Sequence, residues 1–203
     1  MTRYLVIAII TLFAWQLWET YSEHNNIQAL YTDLNNNPNP PMGGNPQGDV
    51  TVMEFFDYKC GYCKIQEAEF YTLLRGDPYV RVVFMELPIF GEASTTAAKA
   101  ALAVNRIDSK KYYAFHQALM EKTGSLDMTV LEKEAGKLGI SAAILNSAMQ
   151  DPKIEEELAH IKEEAHALGI YGTPGLVVDG KVIKGSMDLD PLRAAIAAAR
   201  KKS

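Results

Sequence analysis

Two short apolar segments with one helical segment between them set the architecture of this chain. Val50–Phe56 (VTVMEFF) and Tyr79–Leu87 (YVRVVFMEL) are rich in the β-branched and aromatic residues typical of buried strands. Between them, Cys60–Arg75 carries apolar residues at helical spacing, and Gly76 follows as a residue that ends helices. This order predicts a βαβ unit.

The rest of the body continues as helices and then ends in a hairpin and one more helix. From Glu92 to Leu168, successive helical segments are separated only by Gly, Asp or Pro. Pro174–Asp179 and Lys181–Lys184 form two short strands joined by an Asp-Gly turn, and Pro191–Lys202 is an Ala-rich helix. The sequence therefore predicts an α/β protein with a mixed four-stranded sheet and an inserted all-helical subdomain, the element order of a thioredoxin fold.

Composition excludes several classes of protein. The chain has 203 residues, which allows one domain with accessory segments, and its 48% hydrophobic residues can form a core. A net charge of -5 with no basic cluster excludes a nucleic-acid-binding protein, because phosphate contacts supply most of that affinity. Two cysteines exclude a disulfide scaffold and a four-cysteine zinc site.

An apolar segment follows Arg3 at the amino terminus. Tyr4–Trp18 fits either a secretory signal or an uncleaved membrane anchor, and it lacks the polar face of a buried soluble helix. The best cleavage candidate, Thr20–Ser22, is weak, whereas two tryptophans and a tyrosine near the end of the segment suit an interfacial anchor. We therefore favour an uncleaved membrane anchor, formed by residues 1–21, over a secretory signal that is removed. The rest of the chain is then expected outside the cytoplasm.

Residues 22–48 are expected to connect this anchor to the body. Ile27, Leu30, Tyr31 and Leu34 are apolar residues at helical spacing, and they predict a short stalk helix. Three alternatives are open for this helix: it self-associates, it packs on the body of the protein, or it frays. Asn35–Gly48 consists of Asn, Pro and Gly apart from Met42 and Gln47, and this composition predicts a linker. Residues 49–203 then form the catalytic domain, with its helical insertion at about 91–168.

Cys60 and Cys63 stand at the start of the helix in the βαβ unit. Free N–H groups and the positive end of the helix dipole favour an anion there, so Cys60 is expected to be the nucleophilic thiolate. Cys63 lies one turn further on, close enough to form a disulfide but less accessible, which makes it the resolving thiol. A Cys-x-x-Cys motif in this position of an exported chain predicts redox catalysis.

Two other interpretations of the cysteines are weaker. An inert disulfide that closes so short a loop would stabilise the fold little. A metal site is disfavoured because no third cysteine exists and the four histidines show no paired ligand spacing near the motif: His24, His116, His160 and His166. We expect no metal and no cofactor.

Two residues outside the motif fit the same chemistry. Glu54 shares a strand face with Val52 and Phe56, which predicts a buried carboxyl that exchanges a proton with Cys63; a strand-end glutamate reaching solvent is the alternative. Thr173–Pro174 precedes a strand, and a cis bond there would expose the Thr173 backbone for pairing with an extended substrate. Most X-Pro bonds are trans, which is the alternative here.

Three motifs together resemble the DsbA-like thiol-disulfide oxidoreductases of bacterial envelopes: residues 44–64 (GNPQGDVTVMEFFDYKCGYCK), 112–120 (YYAFHQALM) and 171–180 (YGTPGLVVDG). The likeness extends from Gly44 to about Lys202. It implies a thioredoxin fold with a helical insertion and the following site residues: Cys60 as nucleophile, Cys63 as resolving thiol, Glu54 as buried acid, and Thr173 with cis-Pro174 beside them. It also implies a packing role for His116.

The chain departs from the best-known oxidases of that family between its cysteines. Those oxidases have Pro-His, where the histidine stabilises the thiolate, whereas this chain has Gly61 and Tyr62. Tyr62 supplies no such charge, so the oxidised form is expected to be a weaker oxidant. Gly-Tyr, and a Thr before the cis-proline, resemble the isomerase and reductase members, which are usually oligomers. We expect Gly61, Tyr62, Thr173 and Pro174 to contact the substrate.

The predicted function is a thiol-disulfide oxidoreductase that forms or rearranges disulfide bonds in exported proteins. We expect it in the periplasm or at the extracytoplasmic face of the inner membrane, held by the amino-terminal segment. Its expected partners are unfolded or cysteine-containing exported proteins and a membrane redox partner that reoxidises or reduces the cysteine pair, and the stalk offers a route to a homo-oligomer. The alternative is a non-catalytic envelope chaperone or binding module on the same scaffold.

Overall fold

The structure is a computed structural model that describes residues 2–201, without the side chains of residues 2, 3, 5, 6, 8 and 35. The chain divides into two compact units, Met1–Asn37 and Pro38–Ser203.

The first unit is one long helix, α1 (Thr2–Asn36). The predicted anchor segment and the predicted stalk helix both lie within this one helix, because the sequence has no Gly or Pro before Pro38 to end it. The described large apolar side chains between Tyr4 and Tyr21 are exposed. Within the described part of the chain, no helix is both long and apolar enough to span a membrane. Arg3, Leu5 and Val6 of the predicted anchor lie outside the described side chains.

The second unit contains a five-stranded sheet in the order β1-β3-β2-β4-β5. Strands β2 and β3 pair in parallel and the other neighbours pair antiparallel. The strands are β1 (Met42–Gly44), β2 (Val50–Phe56), β3 (Val80–Glu86), β4 (Gly175–Val178) and β5 (Lys181–Lys184). Asp179 and Gly180, both with positive φ, make the turn of the predicted β4–β5 hairpin.

The fifth strand, β1, corrects two predictions: the four-stranded sheet and the unstructured linker over Asn35–Gly48. Met42 pairs with Val83 of β3, and the Pro41 carbonyl accepts a hydrogen bond from the Phe84 N–H at 2.9 Å. A side chain at Gly43 would meet the Tyr113 ring at 2.9 Å, so the glycine permits this close packing. The Asn, Pro and Gly composition indicated a linker because composition reports only local preferences. It does not show that the edge of β3 is available for an extended segment to pair with.

Seven helices of the described chain belong to the second unit, and five of them form the predicted insertion between β3 and β4. They are α2 (Gly61–Gly76), α3 (Glu92–Ile107), α4 (Ser109–Met120), α5 (Met128–Lys137), α6 (Ala142–Ala148), α7 (Pro152–Ala167) and α8 (Leu189–Arg200). Strand β2 lies at the centre of the sheet and is buried along nearly all its length. The β2–α2 junction, which carries the cysteines, therefore follows the central and largely buried strand of the sheet.

Arg200, the last residue of α8, ties together the two ends of the β2–α2 segment. Its guanidinium donates to both carboxylate oxygens of Asp49, before β2, at 2.8 and 2.9 Å. It also donates to both oxygens of Asp77, after α2, at 2.7 and 2.9 Å. These charge-assisted bonds hold the pKa of the Asp77 carboxyl below its ordinary value.

We expect Arg200→Ala to lower the free energy of unfolding by about 1 kcal/mol, because the pairs are bidentate but partly screened by solvent. Urea unfolding measures this change. Arg193→Ala is the matched control, since Arg193 only approaches the exposed Asp190 at 4.0 Å. An equal loss in the two variants would contradict a special contribution from Arg200.

Candidate active site

Cys60 caps the amino terminus of α2 with its sulfur atom. Its backbone is extended, and its own N–H donates to the Asp57 carbonyl at 3.0 Å. The Cys63 N–H donates to Cys60 Sγ at 3.4 Å, and the Cys60 thiol donates to the Thr173 carbonyl at 3.2 Å. Both cysteines are free thiols. A negative charge on Cys60 would be stabilised by the N–H groups at this helix start.

Cys60 is more buried than the sequence suggested, whereas Cys63 is enclosed as expected. Cys60 is 4% exposed, although we expected it at an open helix start, because the Thr173 segment lies against its sulfur. Cys63 is fully buried, so Cys60 remains the more accessible of the two. Burial raises the pKa of the Cys63 thiol, and the neighbouring Glu54 charge raises it further. The two thiols therefore have different accessibility within one pair.

The loop before β4 forms the second wall of the site. The Thr173–Pro174 peptide bond is cis, as the resemblance implies. Gly175 follows, and a side chain there would meet Ile170 Cγ2 at 2.5 Å, so only a glycine fits. On the other side of Cys60, Gly61 faces open space and Tyr62 is exposed. Thr173 thus contacts the reactive sulfur, while the two residues between the cysteines face outward.

Glu54 is fully buried on β2, which excludes the alternative of a carboxylate that reaches solvent. Neither of its oxygens has a hydrogen-bond partner among the described residues. Burial raises the pKa of the Glu54 carboxyl well above its ordinary value, and the charges of Glu67 and Cys60 raise it further. A buried acid without partners keeps its proton and can deliver it to a neighbour.

Asp57, which the sequence pattern did not single out, follows the end of β2 and is 1% exposed. Its Oδ1 accepts from the Lys59 N–H at 2.7 Å and the Ser94 hydroxyl at 2.8 Å. Its Oδ2 accepts from the Ile89 N–H at 2.7 Å and the Phe90 N–H at 3.0 Å. The only sequence signal was an aspartate between a strand and a turn, which is common without such a role.

A chain of buried polar side chains that was also not predicted joins β3, α4 and α2. The Tyr58 and Tyr112 hydroxyls both donate to Glu86 Oε1 at 3.0 Å. Tyr58 Oη also lies 3.2 Å from His116 Nδ1, and His116 Nε2 lies 3.2 Å from Glu67 Oε2. Burial raises the pKa of the Glu86 carboxyl. His116 is fully buried and packs on aromatic rings, so it is both packed and hydrogen-bonded.

A dithiol at a helix start, with a buried carboxyl and a cis-proline loop beside it, defines a thiol-disulfide redox site. The family model of the DSBA-like thioredoxin domain matches residues 51–197. Disulfide bond formation protein D of Bacillus subtilis is 27% identical over 166 residues, which cover 77% of this chain and 75% of that protein.

Two solved structures extend the comparison. A thioredoxin-like oxidoreductase from Silicibacter pomeroyi is 42% identical with a TM-score of 0.76, covering 82% of this chain and 95% of that one. A linker-deletion mutant of Proteus mirabilis ScsC is 26% identical with a TM-score of 0.83, covering 100% of this chain and 94% of that one. The chain therefore belongs to the DsbA-like thioredoxin domain family. It is a thiol-disulfide oxidoreductase with Cys60 and Cys63 as its redox pair, and the predicted thioredoxin fold with a helical insertion is confirmed.

The buried Glu54 predicts a characteristic pH dependence of stability. Its raised pKa means that the folded protein keeps a proton that the unfolded chain releases above about pH 4.5, the ordinary value for glutamate. The stabilisation from this proton is present below that pH and is lost as the pH rises toward the folded-state pKa. Relative to Glu54→Gln, the reduced wild-type protein should lose up to about 1.4 kcal/mol of unfolding free energy per pH unit.

Urea unfolding of both proteins between pH 5 and pH 8 measures the difference. Glu156→Gln, at an exposed position on α7, is the control for a glutamate without burial. Parallel pH profiles for wild type and Glu54→Gln would show that Glu54 ionises normally in the folded protein.

Proposed function

We propose that this protein exchanges disulfides with exported, cysteine-containing proteins, with Cys60 as the attacking thiol and Cys63 as the resolving one. The observation that carries the assignment is the position of Cys60 Sγ, between the Cys63 N–H at the helix start and the Thr173 carbonyl. Cys63 is enclosed and has a raised pKa, so it is suited to act on a partner already bound at Cys60.

In the reducing direction, the Cys60 thiolate attacks one sulfur of a substrate disulfide. A mixed disulfide forms at Cys60, and the other substrate sulfur leaves as a thiolate and takes up a proton from water. Cys63 then loses its proton and attacks Cys60 Sγ, which forms the Cys60–Cys63 bridge and releases the reduced substrate. If a second substrate thiolate attacks the mixed disulfide first, the substrate disulfides are rearranged and the dithiol is restored. A membrane redox partner resets the pair after a net transfer of electrons.

Glu54 is the proton donor in the opposite direction. When a substrate thiolate attacks Cys60 in the bridge, Cys63 leaves as a thiolate in an enclosed position. Glu54, held protonated by burial, gives its proton to that sulfur. By microscopic reversibility, the Cys63 proton passes to Glu54 in the reducing direction, after the Glu54 carboxyl has released its own proton to water.

Substrate chains approach along the Thr173 segment. The contact between Thr173 and Cys60 places backbone groups beside the reactive sulfur, where an extended substrate can pair with them. The exposed ring of Tyr62 adds contact area beside the thiol. Because Gly61 and Tyr62 place no cation next to Cys60, we assign the protein to reduction and isomerisation more than to strong oxidation.

Three cysteine variants test this assignment. Cys60→Ser with Cys63→Ser should lose all reduction of insulin and all recovery of a scrambled disulfide protein, whereas a binding module would retain its effect. Cys63→Ser alone should accumulate a mixed disulfide with substrate, because attack proceeds and resolution does not. Cys60→Ser should accumulate none. Mixed disulfides at Cys63 in that last variant, detected by mass spectrometry, would reverse the roles.

We further propose that α1 holds the protein at the extracytoplasmic face of the membrane and joins copies of the chain. Large apolar side chains are exposed around its amino-terminal half, an arrangement that needs an apolar environment in the cell. Further along the same helix, Ile27, Leu30, Tyr31 and Leu34 lie on one face at the spacing of a helix-pairing stripe, and Ile27, Leu30 and Leu34 are buried in this structure. Self-association through this stripe therefore needs a partner copy to replace the contacts that cover these three side chains. Two catalytic bodies on one stalk would raise the local concentration of reactive thiols.

Cell fractionation should find the full-length protein in the membrane fraction at its unprocessed mass. A truncated protein beginning at Glu19 should scatter light as more than a monomer, because it keeps the stripe. One beginning at Pro38 keeps β1 but removes the stripe, and it should be a monomer. A soluble, shortened product would contradict the anchor, and equal monomeric masses would contradict self-association.

A further inference from the structure

The segment that joins β3 to α3 lies directly beside the catalytic turn. The Leu87 N–H donates to the Phe56 carbonyl at 2.8 Å, which extends the β2–β3 pairing to the end of β2. Two residues further on, Ile89 and Phe90 turn their backbone N–H groups toward the carboxylate of Asp57. Their side chains are 43% and 50% exposed, which is unusual for large apolar groups so close to a buried site.

Asp57 is the common acceptor for this segment and for the catalytic turn. One of its oxygens binds the Ile89 and Phe90 N–H groups, and the other binds the Lys59 N–H next to Cys60. Its backbone carbonyl accepts from the Cys60 N–H itself. The Ser94 hydroxyl, in the first turn of α3, completes the set of donors. A single buried carboxyl group therefore connects the turn that carries Cys60 to the segment that carries two exposed apolar side chains.

We propose that Asp57 is a positioning residue for substrate selection: it holds Ile89 and Phe90 beside Cys60, where they bind apolar side chains that flank a substrate disulfide. The proposal rests on the disulfide exchange proposed above and adds to it a determinant of which disulfides react. Buried disulfides of folded proteins have apolar neighbours in sequence, and unfolded chains expose them. Contact with such neighbours favours misfolded polypeptides over small hydrophilic disulfides.

Only a side chain with a carboxyl or amide oxygen can replace Asp57 as the acceptor of these hydrogen bonds. Alanine at position 57 leaves three backbone N–H groups and one hydroxyl without their acceptor, so residues 89 and 90 lose their position. Asparagine keeps one acceptor oxygen, which can serve Ile89 and Phe90. Its amide group then faces the Ser94 hydroxyl, which can accept a hydrogen bond, and only the Lys59 N–H loses its partner. Asp57→Asn should therefore restore much of what Asp57→Ala loses.

The experiment compares two synthetic peptides, each with one intramolecular disulfide, flanked either by leucines or by serines. The full-length protein is assayed for kcat/KM on each, and the ratio of the two values is the selectivity. Wild type should prefer the leucine peptide by about ten-fold, comparable to the burial of one apolar side chain. Asp57→Ala and Phe90→Ala should each reduce this preference to about two-fold or less. The loss should come from a higher KM for the leucine peptide, with kcat little changed. Asp57→Asn should keep more than half of it.

Two further measurements separate positioning from damage to the fold. Hydrogen exchange at the Ile89 and Phe90 amides should accelerate in Asp57→Ala while the central strand β2 stays protected. Asp127→Asn, which alters an aspartate that caps α5 with one hydrogen bond, is the matched control and should keep the full selectivity. Because Phe90 is half exposed, Phe90→Ala should fold even if Asp57→Ala does not. It therefore provides a second test of the same surface.

The outcomes are distinct for the two proposals. If wild type reduces neither peptide, the proposed disulfide exchange fails. If wild type reduces both peptides without preference, or if Phe90→Ala or Asp57→Ala keeps the preference, disulfide exchange stands and the role of Asp57 is overturned. A loss of rate on both peptides by the same factor in Asp57→Ala would likewise overturn it, since that result would place Asp57 in the cysteine turn alone.

Discussion

The helix α2 depends on a sulfur atom for its amino-terminal cap. The first N–H groups of a helix lack partners within the helix, and a Ser, Thr, Asp or Asn side chain usually supplies one. Here the acceptor is Cys60 Sγ, which receives the Cys63 N–H at 3.4 Å. A protonated sulfur is a weaker hydrogen-bond acceptor than an oxygen. The reactive atom and the structural atom are therefore the same, and the surrounding residues are arranged around it.

Two buried carboxyl groups close to this cap have opposite environments. Asp57 accepts hydrogen bonds from four donors, which compensate for the removal of its charge from water. Glu54, three residues earlier and within β2, has no hydrogen-bond partner among the described residues and has a raised pKa. Because both Asp57 oxygens accept hydrogen bonds while the Glu54 carboxyl has none within the described part of the chain and has a raised pKa, Asp57 is suited to hold structure and Glu54 to move a proton.

Much of the fold was predictable because local patterns set it. The β2–α2–β3 unit, the β4–β5 hairpin and the helical insertion follow from β-branched runs, helical spacing and Gly or Pro breaks, which act within one segment. The errors arose where a segment depends on something distant. Met42–Gly44 became a strand because β3, distant in the sequence, offered it an edge to pair with.

The sequence by itself determined where the reactive cysteines stand, since the Cys-x-x-Cys motif lies between a strand pattern and the helical spacing that follows it. It also indicated Glu54 and Pro174, one through the alternation of strand faces and the other through resemblance. Only the tertiary structure decided that the Thr173 carbonyl meets Cys60 and that Asp57 reaches Ile89 and Phe90, residues more than 30 positions away in the chain. The physical reason is that hydrogen-bond partners across a fold depend on how strands and loops meet in space, and no periodicity in the sequence records those distances.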